Sequence, residues 1–454
     1  MSTQLFANYR YLATMDDAGT ELRNGFVLVE DGWITHVGTE PPTHSVDRRV
    51  DCAGYIVIPG LVNAHHHLYQ TLTRAFPEST GVSLFPWLEM LYPIWAGLDE
   101  DMIYASTRAG LAELALSGCT TSADHLYVFP SGSDGFVDAE IRAAQDIGLR
   151  FHATRGSMDL SEKDGGLPPD QVVQPIDEIL AETVRLIQHY HDPSPGAHTR
   201  IGVAPCSPFS ASTQLMRESA SLAREYGVRL HTHIAETKDE DTYSRERFGL
   251  SPVELLDSVE WVASDVWLAH CVHPSEGDVR LLAGGGSAVA HCPTSNMLLG
   301  SGLAPTPRLL AAGVQVGLGV DGSSSNDGND LRNEMKQSLL SARVRDGANA
   351  LSARQALWMA TRGGAACLGR DDIGAIEPGR AADLVLFEAD DLALAGGEED
   401  MLAAIVLCSA RPASVYVHGR QVVSGGRLLS ADVDEIAGQQ RAASRRLLER
   451  GRGG

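Results

Sequence analysis

The sequence predicts an α/β protein: a (β/α)8 barrel of the TIM type carrying a small β-sandwich built from both chain ends. Three observations predict it. Eight short β-like runs lie along the middle of the chain, most of them followed by a helical pattern, and eight parallel strands joined by right-handed crossovers close a barrel. Residues with metal-ligand or acid–base chemistry recur at the C-terminal ends of those runs, where barrel enzymes keep their sites. The two flanks instead read as alternating strands around tight turns.

The runs lie near residues 56–65, 120–124, 150–154, 200–204, 228–233, 266–270, 287–291 and 314–321. Between them, helical patterns over 101–117, 139–147 and 213–226 each end at a glycine, Gly118, Gly148 and Gly227, suited to a left-handed cap. Barrel and crossovers together take residues 56–374. Residues 1–55 contain two alternating strands around Asp31-Gly32, and residues 375–432 repeat the style in 382–387 and 415–423. Neither flank is large enough for its own core, so the economical reading is one sandwich shared by both. Residues 433–454 read as an Arg-rich terminal helix ending in a frayed Gly451-Arg452-Gly453-Gly454.

Composition excludes whole classes of function. A net charge of −23 at 454 residues argues against a nucleic-acid partner, which needs clustered Lys and Arg to displace counterions. No apolar run nears the roughly 18 residues of a membrane span, and residues 1–15 lack the basic and apolar parts of a signal peptide. Seven cysteines, none in a C-x-x-C pair, fit reduced thiols in a cytoplasm better than a disulfide framework.

The most informative residues are His65, His66 and His67. The outer two imidazoles of an H-x-H on an extended chain point to one face and make half of a zinc site. His66 points the other way and reads as packed or hydrogen-bonded. His233, with Glu236 three residues on, and Asp321, in Gly319-Val320-Asp321-Gly322, end later runs in equivalent places, as do Asp124 with His125, His270 and His291. His231, one layer below His233, reads as a core histidine; His273, Cys271 and Cys292 read as structural, and His189, His191 and His198 as exposed. The other zinc-deaminase signature, H-x-E with P-C-x-x-C, is absent, because Pro205-Cys206 has no second Cys three residues later.

His65-x-His67, His233 with Glu236, His270 in Ala269-His270-Cys271-Val272-His273, and Asp321 together resemble the amidohydrolase superfamily, specifically its deaminase branch. The segment 373–383 also resembles that family's return into its sandwich, so the resemblance runs nearly end to end. It implies one zinc ion, or Fe2+ or another divalent ion in its place, held by His65, His67, His233 and Asp321. Zinc with an open position activates water near neutral pH. Glu236 would move protons between water and the ring, His270 would orient the water, and Asp321 would share a proton with it. Binuclear relatives use a modified Lys on strand four, and none of Lys163, Lys238 and Lys336 lies there, so one metal is expected.

Within the branch, residues 65–74 and 122–125 most resemble the 8-oxoguanine deaminases, implying release of ammonia from 8-oxoguanine to give urate. Related rings are the alternative: isoxanthopterin or another pterin, guanine, or a hydroxylated s-triazine. A non-catalytic metal-binding relative is disfavoured because every ligand-type residue is present. Gln70 carries the donor and acceptor that suit a lactam edge. Tyr69, Asp124, His125, Arg155 and Cys206 are the other candidate substrate contacts, with Trp87 and Trp95 able to enclose a flat ring and His291 balanced between pocket wall and loop anchor. No phosphate cradle is visible at the site, which favours a free base. A homo-oligomer completes the expectation.

Overall fold

Eight parallel strands close a barrel: Leu61–Asn63 (β1), Cys119–Leu126 (β2), Arg150–Ser157 (β3), Thr199–Pro205 (β4), Arg229–Ile234 (β5), Val266–His270 (β6), Ala288–His291 (β7) and Val316–Leu318 (β8). The computed structural model describes residues 2–40 and 45–452. The strands pair in chain order, and β8 returns to β1 through Leu318 opposite Asn63. Asn63 fastens that seam, its Nδ2 donating to Ser122 Oγ (3.0 Å) and its Oδ1 accepting from Val320 N (2.9 Å). Buried on both faces, β2 and β3 are covered outside by crossover helices. Three of these, Glu100–Ser117, Phe136–Ile147 and Thr213–Tyr226, end on Gly118, Gly148 and Gly227 at φ of 102°, 90° and 67°, the left-handed caps the sequence calls for.

The run at 56–65, read as one strand, is two. Tyr55–Pro59 pairs with Leu384–Glu388 in the sandwich, and only Leu61–Asn63 enters the barrel. Gly60 is the corner: its N–H donates to Asp383 O (2.9 Å), and a Cβ there would overlap the Thr120 side chain. A continuous apolar run does not record such a corner, because both halves are buried.

The chain ends build two sheets. Thr3–Ala7, Phe26–Glu30, Trp33–Gly38 and Arg48–Asp51 form one; Tyr55–Pro59, Leu384–Glu388 and Pro412–Val417 lie at the centre of a seven-stranded second. Asp31 and Gly32, at φ of 46° and 84°, make the expected hairpin turn. A buried ion pair, Arg150 Nη1 to Asp383 Oδ1 (2.6 Å), joins barrel to sandwich. Removing either partner alone would leave a buried charge, at roughly 3–5 kcal/mol.

The terminal helix Val433–Arg452 lies along Glu100–Ser117 and donates from Gln440 to Thr71 Oγ1 (3.0 Å) and from Ser444 to Leu72 O (2.7 Å). It thereby braces the 3-10 turn Leu68–Thr73, which carries Gln70. Gly451 and Arg452 continue the helix; Gly453 and Gly454 lie outside the described residues. Among the described residues no helix is long and apolar enough to cross a membrane, and all seven cysteines are free.

Candidate active site

Strand alternation and strand ends bring six predicted residues together at the C-terminal mouth of the barrel. His65 and His67 follow β1, His233 lies on β5, Glu236 follows it, His270 ends β6 and Asp321 follows β8. All six are buried. His67 Nε2 lies 3.0 Å from His233 Nε2, and Asp321 Oδ1 lies 3.4 Å from the Nε2 of both His65 and His67. On the other side Asp321 Oδ2 is 3.8 Å, and Glu236 Oε2 3.5 Å, from His270 Nε2. Two of the carriers hold strained backbone: His270 at φ 75° and Asp321 at φ 64° lie in the left-handed region, a cost that the surrounding structure must sustain.

The outer nitrogens fix which way each imidazole faces. A carbonyl can only accept, so His67 Nδ1–H donates to His125 O (2.6 Å), His233 Nδ1–H to Cys206 O (2.7 Å) and His231 Nδ1–H to Trp267 O (2.8 Å). His231 Nε2 is then an acceptor, and takes the His65 Nδ1–H at 2.8 Å. In all three of His65, His67 and His233 the Nε2 lone pair is left pointing at its neighbours. Burial holds His65 well below the usual imidazole range against the opposing effect of Asp321, and burial with repulsion from His67 does the same for His233; burial also lowers His67. Burial would raise Asp321, but the adjoining His65 imidazole and the His270 charge outweigh it and hold the carboxyl well below its ordinary value. Two overlapping groups of these side chains could hold a divalent ion: His65, His67, His125 and His233 on one side, and His65, His270 and Asp321 on the other. Buried acceptors without a donor cost about 1–3 kcal/mol each, a cost that a bound cation would offset.

Glu236 and His270 stand beside that set. Burial pushes the Glu236 carboxyl up to about 6, His270 opposing and Asp321 assisting. For His270 burial acts downward, yet Glu236 and Asp321 more than offset it and raise the imidazole. Its Nδ1 lies 2.9 Å from Asn296 Oδ1. Glu240 holds the loop, its carboxylate accepting from the N–H groups of Ala235 (2.9 Å) and Glu236 (2.8 Å).

A cavity of about 370 Å³, partly open to solvent, leads onto these groups. Gln70 lines it, its Oε1 without a partner in the protein, and a methyl at Gly322 would overlap the Gln70 carboxamide. Cys206 and Trp87 line it as expected. Four expected contacts do not. Tyr69 is turned edge-on to Trp95 (5.2 Å) and Tyr127 (5.9 Å) behind the wall. Asp124 accepts from Leu68 N (2.6 Å) and faces Glu140, a buried carboxyl pair in which burial raises both groups. Arg155 donates to Gly156 O (2.6 Å) and Gln174 Oε1 (2.6 Å) over the Phe129 ring. His125 donates to Ala204 O (2.9 Å), stacks on His233 at 4.8 Å and joins the imidazole group. Trp95 donates to Thr73 Oγ1 (3.1 Å), and His291 is buried without a partner; neither reaches the cavity lining. His66 accepts from His67 N (2.7 Å), away from the cavity. The wall that sequence reasoning missed is Tyr127, Phe209, Leu84, Leu88, Leu299 and Ser325. Tyr127 alone carried a signal, standing two residues past inward-facing His125.

Comparison with known proteins agrees with this geometry. The family model described as "Amidohydrolase family" matches residues 56–422. The 8-oxoguanine deaminase of Pseudomonas aeruginosa is 46% identical over 427 residues, 93% of this chain and 95% of that protein. The hydroxydechloroatrazine ethylaminohydrolase of Pseudomonas sp. strain ADP is 37% identical over 470 residues, 99% of this chain and 96% of its own length. Among solved structures, an atrazine chlorohydrolase from Arthrobacter aurescens TC1 complexed with zinc superposes with a TM-score of 0.94 at 36% identity, covering 97% of this chain and 100% of that one. The chain belongs to the amidohydrolase family.

Proposed function

We propose that this protein is a zinc-dependent deaminase of an amino-oxopurine free base, converting 8-oxoguanine and water to urate and ammonia. The observation that carries the reading is the convergence of three imidazole nitrogens, a carboxylate and a Glu–His pair on a cavity whose polar reader is Gln70; the 46% identity to an 8-oxoguanine deaminase supplies the ring. His65, His67, His233 and Asp321 hold one ion, which when bound supplies Lewis acidity and activates water. Glu236 takes a proton from the attacking water, passes it to a ring nitrogen and breaks aromaticity. It then serves the departing amine, which leaves as ammonia. His270 orients the water, with Asn296 fixing its ring. Gln70 presents its amide to the lactam edge, and Trp87 and Tyr127 enclose the flat ring. The 37% identity to an aminohydrolase of a hydroxylated triazine supports that ring as the second reading. Six buried, unpaired cysteines support a cytoplasmic location, and exposed Leu340 and Val344, one helical turn apart, support a homo-oligomer.

Ammonia release from 8-oxoguanine, isoxanthopterin, guanine and hydroxylated s-triazines by the zinc-loaded protein tests this. Highest kcat/KM on 8-oxoguanine, with one urate per ammonia, is expected. A faster triazine moves the assignment to the second reading, and no ammonia from any ring removes the deaminase reading.

Gln70→Ala leaves the substrate's paired donor and acceptor unsatisfied in the pocket, at roughly 1–3 kcal/mol each. The expected result is a fall in kcat/KM of about 30-fold or more with metal content retained, and a larger fall for Gln70→Glu. Parental kcat/KM in Gln70→Ala would assign ring recognition to other residues.

A further inference from the structure

At the opposite end of the barrel, where the strands begin, a second cavity of about 920 Å³ empty volume is lined by His152, Arg200 and Arg229 among others. It lies far in the fold from the catalytic mouth, because its residues sit on the first turns of β3, β4 and β5. His152 faces Arg200 in the β3–β4 register, and Gly202 faces Arg229 in the β4–β5 register. The net charge of the chain is −23, yet this cavity is cationic.

Its arginines are not all neutralised. Arg224, at the rim, is paired with Asp265 (3.0 Å) and Glu260 (3.4 Å). Among the described residues no carboxylate lies within ion-pair distance of Arg200 or Arg229. They donate to carbonyls instead: Arg200 to Gly369 O (3.2 Å) and Pro193 O (3.2 Å), Arg229 to Cys367 O (3.0 Å) and Ser264 O (3.1 Å). Carbonyls satisfy N–H groups without cancelling charge. Two further donors have no acceptor at all. Arg200 Nε is buried and unpartnered, and both ring nitrogens of His152, a residue only 3% exposed, are unpartnered. Burial and the surrounding arginines keep that imidazole neutral, so it retains one N–H to give. Buried donors are almost always satisfied; here a cavity lined by Arg200, Arg224 and Arg229 against the single carboxylate Asp265 holds unmet donors from two adjacent strands and, from a third, a guanidinium without a direct ion pair.

We propose that this cavity binds a small tetrahedral oxyanion of the phosphate type, either the free ion or the phosphate group of a monoester. Arg200 and His152 donate from β4 and β3 while Arg229 supplies charge from β5, and a tetrahedral anion accepts from three directions where a planar carboxylate fits a single guanidinium fork. The volume admits a group larger than the bare ion. Being at the strand N-termini, the site acts on stability and not on the chemistry.

The test is calorimetric titration of the zinc-loaded protein with inorganic phosphate and, separately, ribose 5-phosphate. Saturable binding below about 10 mM is expected, weakened about tenfold or more by Arg200→Gln and by His152→Phe, with the turnover of Arg200→Gln unchanged and its fold verified by circular dichroism. If His152→Phe does not fold, Arg200→Gln decides alone. Tighter binding of the sugar phosphate assigns a monoester, and equal or weaker binding assigns the free ion. No saturable binding of either probe overturns the proposal, and so does binding that both variants retain, since the anion would then sit elsewhere, the metal included.

Discussion

Replacing Glu236 by Gln is expected to lower turnover by about 10² or more while leaving metal content and melting temperature at parental values. Glutamine keeps the shape and can still accept from Ser301 Oγ, which lies 3.5 Å from Glu236 Oε1. What it loses is the exchangeable proton. The carboxyl lies 3.5 Å from His270 Nε2, and burial raises it to about 6, so both protonation states are accessible near neutrality. Glu240 holds the backbone of residues 235 and 236 from behind, so the substitution does not release the loop. Single-turnover measurements with metal analysis check this. Near-normal turnover would remove Glu236 from the proton path, and loss of metal alongside turnover would make its part structural.

Much of this site is legible in the sequence because two rules govern it. Period-two alternation puts His65 and His67 on one face, and parallel α/β architecture puts strand C-termini at one mouth. Together they gather residues from positions 65 to 321 with no contact known. The same alternation also explains an error. On β2, His125 faces inward with the imidazoles, so its neighbour Asp124 must face outward, and there it meets Glu140. Both could not have touched one substrate. The wall from Leu84, Phe209, Leu299 and Ser325 was illegible for another reason: these residues lie outside the barrel strands, and how those segments close is set by packing and not by a repeating pattern. His231 was legible as a core histidine, but not as the acceptor that orients His65, because that depends on a carbonyl on β6, Trp267 O.

Holding the metal and orienting the side chains that hold it are separable by substitution. Asp321 is the anionic member of the proposed ligand set, its Oδ1 3.4 Å from two of the three imidazoles. Asp321→Ala leaves neutral nitrogens alone around a dication and removes the charge that keeps His270 raised. The expected result is a chain that keeps its fold, retains less than about a tenth of its metal after dialysis against a weak chelator, and loses turnover by about 10³ or more. His231→Leu removes no ligand. It strips the acceptor from His65 Nδ1, 2.8 Å away, so the imidazole is free to turn or change tautomer. Metal affinity should fall by about 10- to 100-fold, the range for groups that orient a ligand, and excess zinc should restore turnover in this variant but not in Asp321→Ala. One ion per chain bound at parental affinity in Asp321→Ala would place the metal on other residues, and parental affinity in His231→Leu would show that the barrel wall alone fixes the His65 ring.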